Sequence, residues 1–242
     1  MLFSDRLLGD DDLQAEIIKM TDHFTLDLFT KGVKQSQVVR SPVSRLVLDV
    51  ERFEDDHLEP MAVRGMGVVY NRTSEGKLLR KPIDASERQQ LIDTWYRPHH
   101  NKLTLTVQKC LERHDHVLVI DAHSFPSVPL PYETDQNPNR PQICIGTDDF
   151  HTSPAVEVAF NKAFTEAGFD TRLNAPFAGA IVPMDFYKTD KRVQSIMIEV
   201  NRRLYLDEAT GERNEAYEVI ATKIRQCIDN AVRNWGEKYE KI

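Results

Sequence analysis

The chain has 242 residues, of which 40% are hydrophobic and 29% are charged, and its formal net charge is −7 at pH 7. These values are typical of a globular protein with enough apolar material for a sizeable core. The negative charge argues against a nucleic-acid partner, and the lack of an apolar run of about 18 residues argues against a membrane-spanning helix.

The first half of the chain predicts two helical stretches and a buried strand. Apolar residues recur at three- and four-residue steps behind an acidic first turn, which predicts a helix over 11–30. Residues 44–50 are rich in branched apolar side chains and short enough for a buried strand, and a small strand is possible at 67–70. A helical stretch follows over 85–113, which Pro98 should kink or divide because proline has no N–H to donate.

The second half of the chain alternates apolar runs with amphipathic stretches. Four segments have the branched, apolar character of strands: 117–120, 143–145, 178–182 and 194–200. Helices are predicted over 153–167, where Ser153 is the N-cap, and over 214–238. The proline-rich segment 126–141 must be a loop.

This alternation predicts an α/β fold with a central, mostly parallel or mixed sheet and helices on both faces. No linker is long or polar enough to divide the chain, so we expect a single domain over residues 1–242. In open α/β sheets the ligand crevice lies at the carboxyl ends of strands, and polar residues there are the first candidates for chemistry.

His123 follows the predicted strand 117–120, with two residues between them, and is well placed to ligate a metal ion. Asp121 could orient it, because a ligating imidazole usually gives its other N–H to a carboxylate or a carbonyl. The alternative is a histidine of the core or of a loop with a satisfied hydrogen bond.

Glu199 falls within the apolar run of the strand 194–200. A carboxylate in such a run is costly unless it is paired, metal-bound or catalytic, and a hydrolase needs a carboxylate as general base and then as general acid. The alternative is a structural glutamate paired with a buried arginine, such as Arg202 or Arg203.

Two further segments carry candidate residues. Arg45 and Arg52 flank the predicted strand 44–50, and a guanidinium at its exit could bind a substrate carboxylate through two parallel hydrogen bonds. An internal salt-bridge network that includes Asp49 is the alternative, and both could hold. On the first predicted helix, Asp22 or His23 could supply an oxygen or an imidazole to zinc, or could simply face solvent.

Seven segments in this order resemble the N-formylglutamate amidohydrolase family. They are 21–23, 44–52, 64–67, 95–100, 121–124, 174–179 and 199–205. The resemblance implies a fold like that of the zinc carboxypeptidases, within the phosphorylase/hydrolase-like group, with a central mixed sheet and helices on both sides.

The resemblance also implies roles for individual residues. Asp22 and His123 fall on two metal-ligand positions, Glu199 on the catalytic glutamate and Arg52 on a substrate-carboxylate arginine. Three further residues fall on positions of the family's substrate pocket: Arg45, Asn174 and Asn201. The implied reaction is hydrolysis of the N-acyl bond of an acidic amino acid, for example N-formyl-L-glutamate, as in histidine degradation. The implied cofactor is Zn²⁺ or another divalent metal, which would polarise the formyl carbonyl and lower the pKa of its bound water towards 7.

Two departures from the family pattern bear on these expectations. The family usually opens with a strand that ends in Pro-His-(Ser/Ala)-Gly, whose His supplies the first metal ligand, and the chain begins downstream of that point. We therefore expect a form without that strand, or a longer natural protein, and His23 would have to serve as the third ligand. The second departure is Glu51 before Arg52, where the family tends to have Asn, and we expect this carboxylate to shift substrate preference away from glutamate-like acids.

Two other functions stay open. One is a non-catalytic protein that binds small carboxylates, and the other is a carboxypeptidase-like amidase with a different acyl-amino-acid or peptide substrate. In each case the expected partner is a small molecule rather than nucleic acid or a membrane, and a homo-oligomer is possible. The three cysteines form no CxxC pair, which favours reduced, packed thiols and a cytoplasmic location.

Overall fold

The computed structural model describes residues 7–239, with side chains up to residue 236. These residues group into two compact units. The first unit combines the residues up to Thr21 with Val39–Leu103 and Pro129–Gln136, and the second combines Asp22–Val38, Thr104–Val128 and the chain from Asn137 onwards. The expectation of a single domain over the whole chain stays a prediction.

Within the described residues, the helices and strands follow the chain in this order. The α-helices are α1 (Asp10–Met20), α2 (Thr25–Thr30), α3 (Ala85–Leu91), α4 (Arg97–Leu111), α5 (Pro154–Glu166) and α6 (Tyr217–Tyr239). The strands are β1 (Val117–Phe125), β2 (Ile143–Gly146), β3 (Thr171–Leu173), β4 (Val193–Asn201), β5 (Leu206–Asp207) and β6 (Glu212–Arg213). In this part of the chain, no helix has both the length and the apolar character needed to cross a membrane.

In the first unit residues 46–50 are buried, but the prediction that the segment 44–50 forms a strand was wrong. A turn opens the segment, and the carbonyls of Leu46 and Val47 then accept hydrogen bonds from Arg80 Nη2 at 2.6 and 3.1 Å. The Arg80 side chain therefore supplies the hydrogen bonds that a neighbouring strand would otherwise donate to these two carbonyls. The strand thought possible at 67–70 is also absent, and only an isolated bridge joins Met66 to Tyr70.

The helical stretch predicted over 85–113 is present, and it is divided at the place that Pro98 indicated. Asp84 and Glu87 form a reciprocal capping box at its start. A π-helical turn, Ile92–Tyr96, separates α3 from α4, and the Arg97 N–H bonds to the Ile92 carbonyl five residues back. The longer turn allows the helix to continue past a proline that cannot donate a hydrogen bond.

The second unit contains a four-stranded sheet in the order β1-β4-β2-β3. β1 is parallel to β4, β2 is antiparallel to β4, and β3 is parallel to β2. This mixed sheet and its helices confirm the predicted α/β fold class. Helices α5 and α6 pack with the isoleucines of β4 on one face, and Val107 and Leu111 of α4 pack with the first residues of β1 and β4 on the other.

Three further predictions need correction. The helix predicted over 11–30 is broken, because Phe24 adopts a left-handed conformation with φ of 59° and α2 restarts after it. Residues 178–182 form no strand, since side chains hold them in place: Ile181 N donates to Asp121 Oδ2 and Ser195 Oγ donates to Ile181 O. β3 is the strand that was missed. His123 lies inside β1, which runs to Phe125, rather than beyond the end of the strand.

Candidate functional site

The candidate site begins with two strands that place an imidazole beside a carboxylate. In the parallel register of β1 and β4, His123 pairs directly with Glu199, and β2 places Cys144 on the other side of Glu199. Neighbouring strands lie about 4.8 Å apart, and paired residues project from the same face of a sheet. The three side chains therefore form one row across the second unit.

The sequence of β4 explains why Glu199 faces this row. Ile196, Ile198 and Val200 point to the face that α5 and α6 cover, and each belongs to the apolar core there. Alternation then sends Met197 and Glu199 to the opposite face. Glu199 is only 8% exposed, so its carboxylate is held largely away from solvent.

His123 lies between two carboxylates, and their distances assign a role to each nitrogen of its ring. Nε2 is 2.8 Å from Asp121 Oδ1, and because a carboxylate can only accept, Nε2 carries the proton. A neutral ring then directs the Nδ1 lone pair towards Asp22, whose Oδ2 lies 3.6 Å away. This separation is too long for a hydrogen bond.

The same separation fits a shared cation. Two ligand atoms at tetrahedral angles and bond lengths of about 2.0–2.1 Å lie about 3.4 Å apart. Asp121 supplies the carboxylate that ligating histidines usually have on their other nitrogen, and it is held in turn by the Ile181 N–H at 2.9 Å. The donor pair Asp22 and His123 therefore suits a divalent metal.

His23, the expected third ligand, contacts Tyr205 and Phe24. Its carbonyl accepts a hydrogen bond from Tyr205 at 2.9 Å, and its ring centroid lies 6.2 Å from that of Phe24. Both contacts fix the segment that carries Asp22. The role of His23 as a ligand stays a prediction.

Cys144 is the nearest thiol to Glu199, and its chemistry is that of a packed residue. Burial, with a smaller contribution from Glu199, raises the pKa of Cys144 to about 12. Its Sγ lies 3.2 Å from the Phe177 carbonyl, to which the thiol donates. At neutral pH it is therefore protonated and has little nucleophilic character.

Arg140 is a buried cation that the sequence gave no reason to single out. Its guanidinium lies 5.4 Å from the ring centroid of Phe125 and 5.5 Å from that of Phe177, and Nη1 donates to the Pro126 carbonyl at 2.9 Å. It comes from the proline-rich segment that was predicted only as a loop. Stacking and a carbonyl acceptor make burial of this charge tolerable.

The two predicted pocket asparagines both have structural bonds. Asn174 adopts a left-handed conformation after β3, and its amide bonds Thr147 at 2.8 and 2.9 Å. Asn201 is fully buried at the end of β4, where it donates to the Pro141 carbonyl and accepts from the Arg203 N–H. Substrate contacts of Asn174 and Asn201 stay predictions.

In the first unit, Arg52 is held by a buried polar cluster. Its Nε lies 3.6 Å from Asp49 Oδ2, its Nη1 3.8 Å from Glu59 Oε1, and its Nη2 donates to Tyr70 Oη at 3.4 Å. The Tyr70 hydroxyl donates in turn to Asp49 at 2.7 Å. Burial opposes ionisation of Asp49, but the charges of Arg45 and Arg52 outweigh it and hold the pKa of Asp49 below its usual value. Part of the internal salt-bridge network that the sequence suggested as an alternative role for these residues is thus present.

The main chain around Arg52 is fixed by Tyr96, the last residue of the π-helical turn, and by His100 in the first turn of α4. The Tyr96 hydroxyl donates to the Arg52 carbonyl at 2.8 Å, and His100 Nε2 lies 2.9 Å from the Val50 carbonyl, to which its N–H donates. The two rings pack with centroids 4.1 Å apart. An arginine with its backbone and its guanidinium both anchored loses little freedom when it binds an anion.

Comparison with known proteins gives one family and a clear structural likeness. A model of the N-formylglutamate amidohydrolase family matches residues 3–206. No curated protein matches the chain in sequence. A crystal structure of N-formylglutamate amidohydrolase from Ralstonia eutropha is similar in fold, with a TM-score of 0.78 and 19% identity over 98% of this chain and 89% of that one. A gene product of Agrobacterium tumefaciens is less similar, with a TM-score of 0.54 and 18% identity over 78% of this chain and 68% of that one.

Proposed function

The chain belongs to the N-formylglutamate amidohydrolase family, and on that premise we propose that it is a metal-dependent hydrolase of N-acylated acidic amino acids such as N-formyl-L-glutamate. The observation that carries this proposal is the register pair His123 and Glu199, with Asp22 facing the second nitrogen of the imidazole. This arrangement puts a metal-ligand pair beside a carboxylate in a largely buried row.

Asp22 and His123 would hold the metal, and His23 is the proposed third ligand. A bound Zn²⁺ would act as a Lewis acid on the acyl carbonyl and lower the pKa of a coordinated water. Asp121 keeps His123 in the tautomer that offers Nδ1, because its Oδ1 accepts the Nε2 proton. These assignments make the imidazole a preorganised ligand rather than a proton carrier.

Glu199 would be the general base and then the general acid. It would accept a proton from the attacking water and deliver it to the leaving nitrogen of the amino acid. Cys144, its neighbour in the register, keeps its proton at neutral pH and so does not compete as a nucleophile. The proposal therefore has water, not a side chain, as the nucleophile.

Arg52 would bind a carboxylate of the substrate. In addition to its contacts with Asp49, Glu59 and Tyr70, the Arg52 side chain keeps 22% of its surface accessible. A planar guanidinium can bind a carboxylate through two parallel hydrogen bonds. This contact is the proposed reason for a preference for acidic amino acids. A homo-oligomer and a cytoplasmic location stay predictions.

The test is formate release from N-formyl-L-glutamate by the zinc-loaded chain and by Glu199→Gln. Loss of an acid–base residue reduces turnover by about 10²–10⁴-fold, and the isosteric amide should leave zinc content unchanged. Glu166→Gln is the matched control, because Glu166 is an exposed residue of α5 with 67% of its side chain accessible. Equal turnover of Glu199→Gln and the wild type would remove the proposed base. Zinc binding with no hydrolysis of any N-acyl acidic amino acid would favour a non-catalytic binding protein.

A further inference from the structure

The two oxygens of Asp22 have different surroundings. Oδ1 accepts the Ser124 N–H at 2.9 Å and the Ser124 hydroxyl at 3.2 Å, and it lies 3.8 Å from Arg202 Nη2. Oδ2 instead lies 3.6 Å from Nδ1 of His123. One oxygen of the carboxylate is thus committed to the protein scaffold, and the other faces the candidate ligand.

The direction of the hydrogen bonds in this group follows from the donors. Arg202 Nε lies 3.1 Å from Ser124 Oγ, and a guanidinium N–H can only donate. Ser124 Oγ must therefore accept from Arg202, and its own O–H lies within donating distance of Asp22 Oδ1. Arg202 is 5% exposed, and its Nη2 also donates to the Ser124 carbonyl at 3.2 Å, so the guanidinium is fixed on two sides.

The position of Ser124 in the sheet explains why Asp22 is close to both residues. β1 is an edge strand of the described sheet, so the Ser124 N–H can project outwards to an acceptor that is not a strand. His123 and Ser124 are consecutive, and their side chains project to opposite faces. An acidic residue beside this edge can therefore bond Ser124 with one oxygen while the other reaches the ring of His123.

We propose that Arg202 and Ser124 are positioning residues that hold Asp22 as a one-oxygen ligand, directed at the metal ion that it would share with His123. This inference rests on the proposed function, in which these two residues hold the ion. Because Oδ1 already accepts two hydrogen bonds from Ser124, Oδ2 is the oxygen that Asp22 directs at the ion. A single carboxylate oxygen beside an imidazole suits tetrahedral Zn²⁺, whereas Ca²⁺ takes six to eight oxygen ligands and often both oxygens of a carboxylate.

The charge of Arg202 and the geometry of its hydrogen bonds have opposite effects on the affinity of the site for a metal ion. The positive guanidinium repels a divalent cation, whereas its fixed hydrogen bonds preorganise Asp22. Arg202→Lys separates the two effects, because it keeps the charge and loses the planar, two-sided contact with Ser124. Ser124→Ala removes only the hydroxyl between Arg202 and Asp22 and keeps the backbone N–H.

The experiment measures the Zn²⁺ dissociation constant of the full chain by competition with a chromophoric chelator. Both variants should bind Zn²⁺ about 10–100-fold more weakly than the wild type, the range typical of lost partners of metal ligands. Arg203→Lys is the matched control, since Arg203 is the exposed neighbour of Arg202, and it should bind as the wild type does. Cobalt substitution gives a second readout, because the visible spectrum should indicate four-coordination in the wild type and change in both variants.

The outcomes separate this inference from the function on which it rests. If the wild type binds no zinc, or if His123→Ala binds it as tightly as the wild type, the proposed metal site itself is wrong. If His123→Ala loses zinc but Arg202→Lys and Ser124→Ala retain wild-type affinity and spectra, only the positioning role is overturned. Circular dichroism of the metal-free proteins checks folding, and Ser124→Ala decides the result should Arg202→Lys not fold.

Discussion

Removal of the Tyr70 hydroxyl tests whether the polar cluster around Arg52 exists to orient its guanidinium. Tyr70→Phe deletes one oxygen from a fully buried side chain and leaves the ring in place. That oxygen donates to Asp49 at 2.7 Å and accepts from Arg52 at 3.4 Å. Between Asp49 and Arg52 the direct contact would remain, in which Nε lies 3.6 Å from Oδ2.

The magnitude follows from the charge of the acceptor. A hydrogen bond to a buried ionised group contributes about 1.5–3 kcal/mol, so the free energy of unfolding should fall by that amount. The guanidinium should also lose its fixed direction. We expect KM for N-formyl-L-glutamate to rise about 3–10-fold, equivalent to about 0.6–1.4 kcal/mol, with kcat changed less than about twofold.

The assay measures kcat and KM for an acidic and for a neutral N-formyl amino acid, together with denaturant unfolding. Tyr217→Phe is the matched control, because Tyr217 also donates to an aspartate, Asp27, at 2.7 Å, but in the second unit. The control should lose some stability and leave KM unchanged. If Tyr70→Phe loses more than about 1.5 kcal/mol of stability while KM for both substrates is unaffected, Arg52 is a structural arginine and the reasoning is refuted.

Three further predictions concern other residues. Asp121→Asn should weaken zinc binding by about 10–100-fold, because Asp121 fixes the His123 tautomer, and equal affinity by chelator competition would contradict that role. Burial, with a smaller effect of His100, lowers the pKa of His99 to about 4, so the unfolded chain binds the proton first as the pH falls below about 6.5. The free energy of unfolding of the wild type should therefore be about 2 kcal/mol lower at pH 5 than at pH 7, and His99→Gln should not show this decrease. If the free energy of unfolding depends on pH equally in both proteins, His99 is not its source. Cys144 should resist thiol reagents at pH 8 in the folded protein and react after denaturation, and rapid labelling of the native chain, mapped by mass spectrometry, would contradict its buried state.

The strands that carry His123 and Glu199 could be anticipated because each depends on a local pattern. A run of branched residues indicated each strand, and a polar residue within such a run stood out against its neighbours. Strand alternation then determined which face Glu199 takes. The predicted end of β1 was too early, because Asp121 and His123 look like loop residues in a sequence but pair with β4 as strand residues do.

The supports of the site could not be anticipated, because they join segments that are far apart in the sequence. Asp22 and Ser124 are 102 positions apart, and Ser124 and Arg202 are 78 apart. No periodicity links such positions, and their side chains meet only after the chain has folded. The sequence therefore indicated candidate ligands but not the groups that orient them.

The segment 44–50 shows the same limit for the fold. Its branched apolar residues correctly predicted burial, but burial alone does not say what pairs with the main chain. Arg80, 34 positions from Leu46, supplies that partner. The break between α1 and α2 was hidden for a related reason, because the apolar period continues through Phe24 although its backbone is left-handed.

The central claim is that Asp22 and His123 share a divalent metal beside Glu199, and a crystal structure of the zinc-loaded chain, with anomalous data at the zinc edge, tests it most directly. We predict one strong anomalous peak about 2.0–2.2 Å from both Asp22 Oδ2 and His123 Nδ1. A fully active, zinc-loaded protein whose peak lies on other residues would contradict the claim.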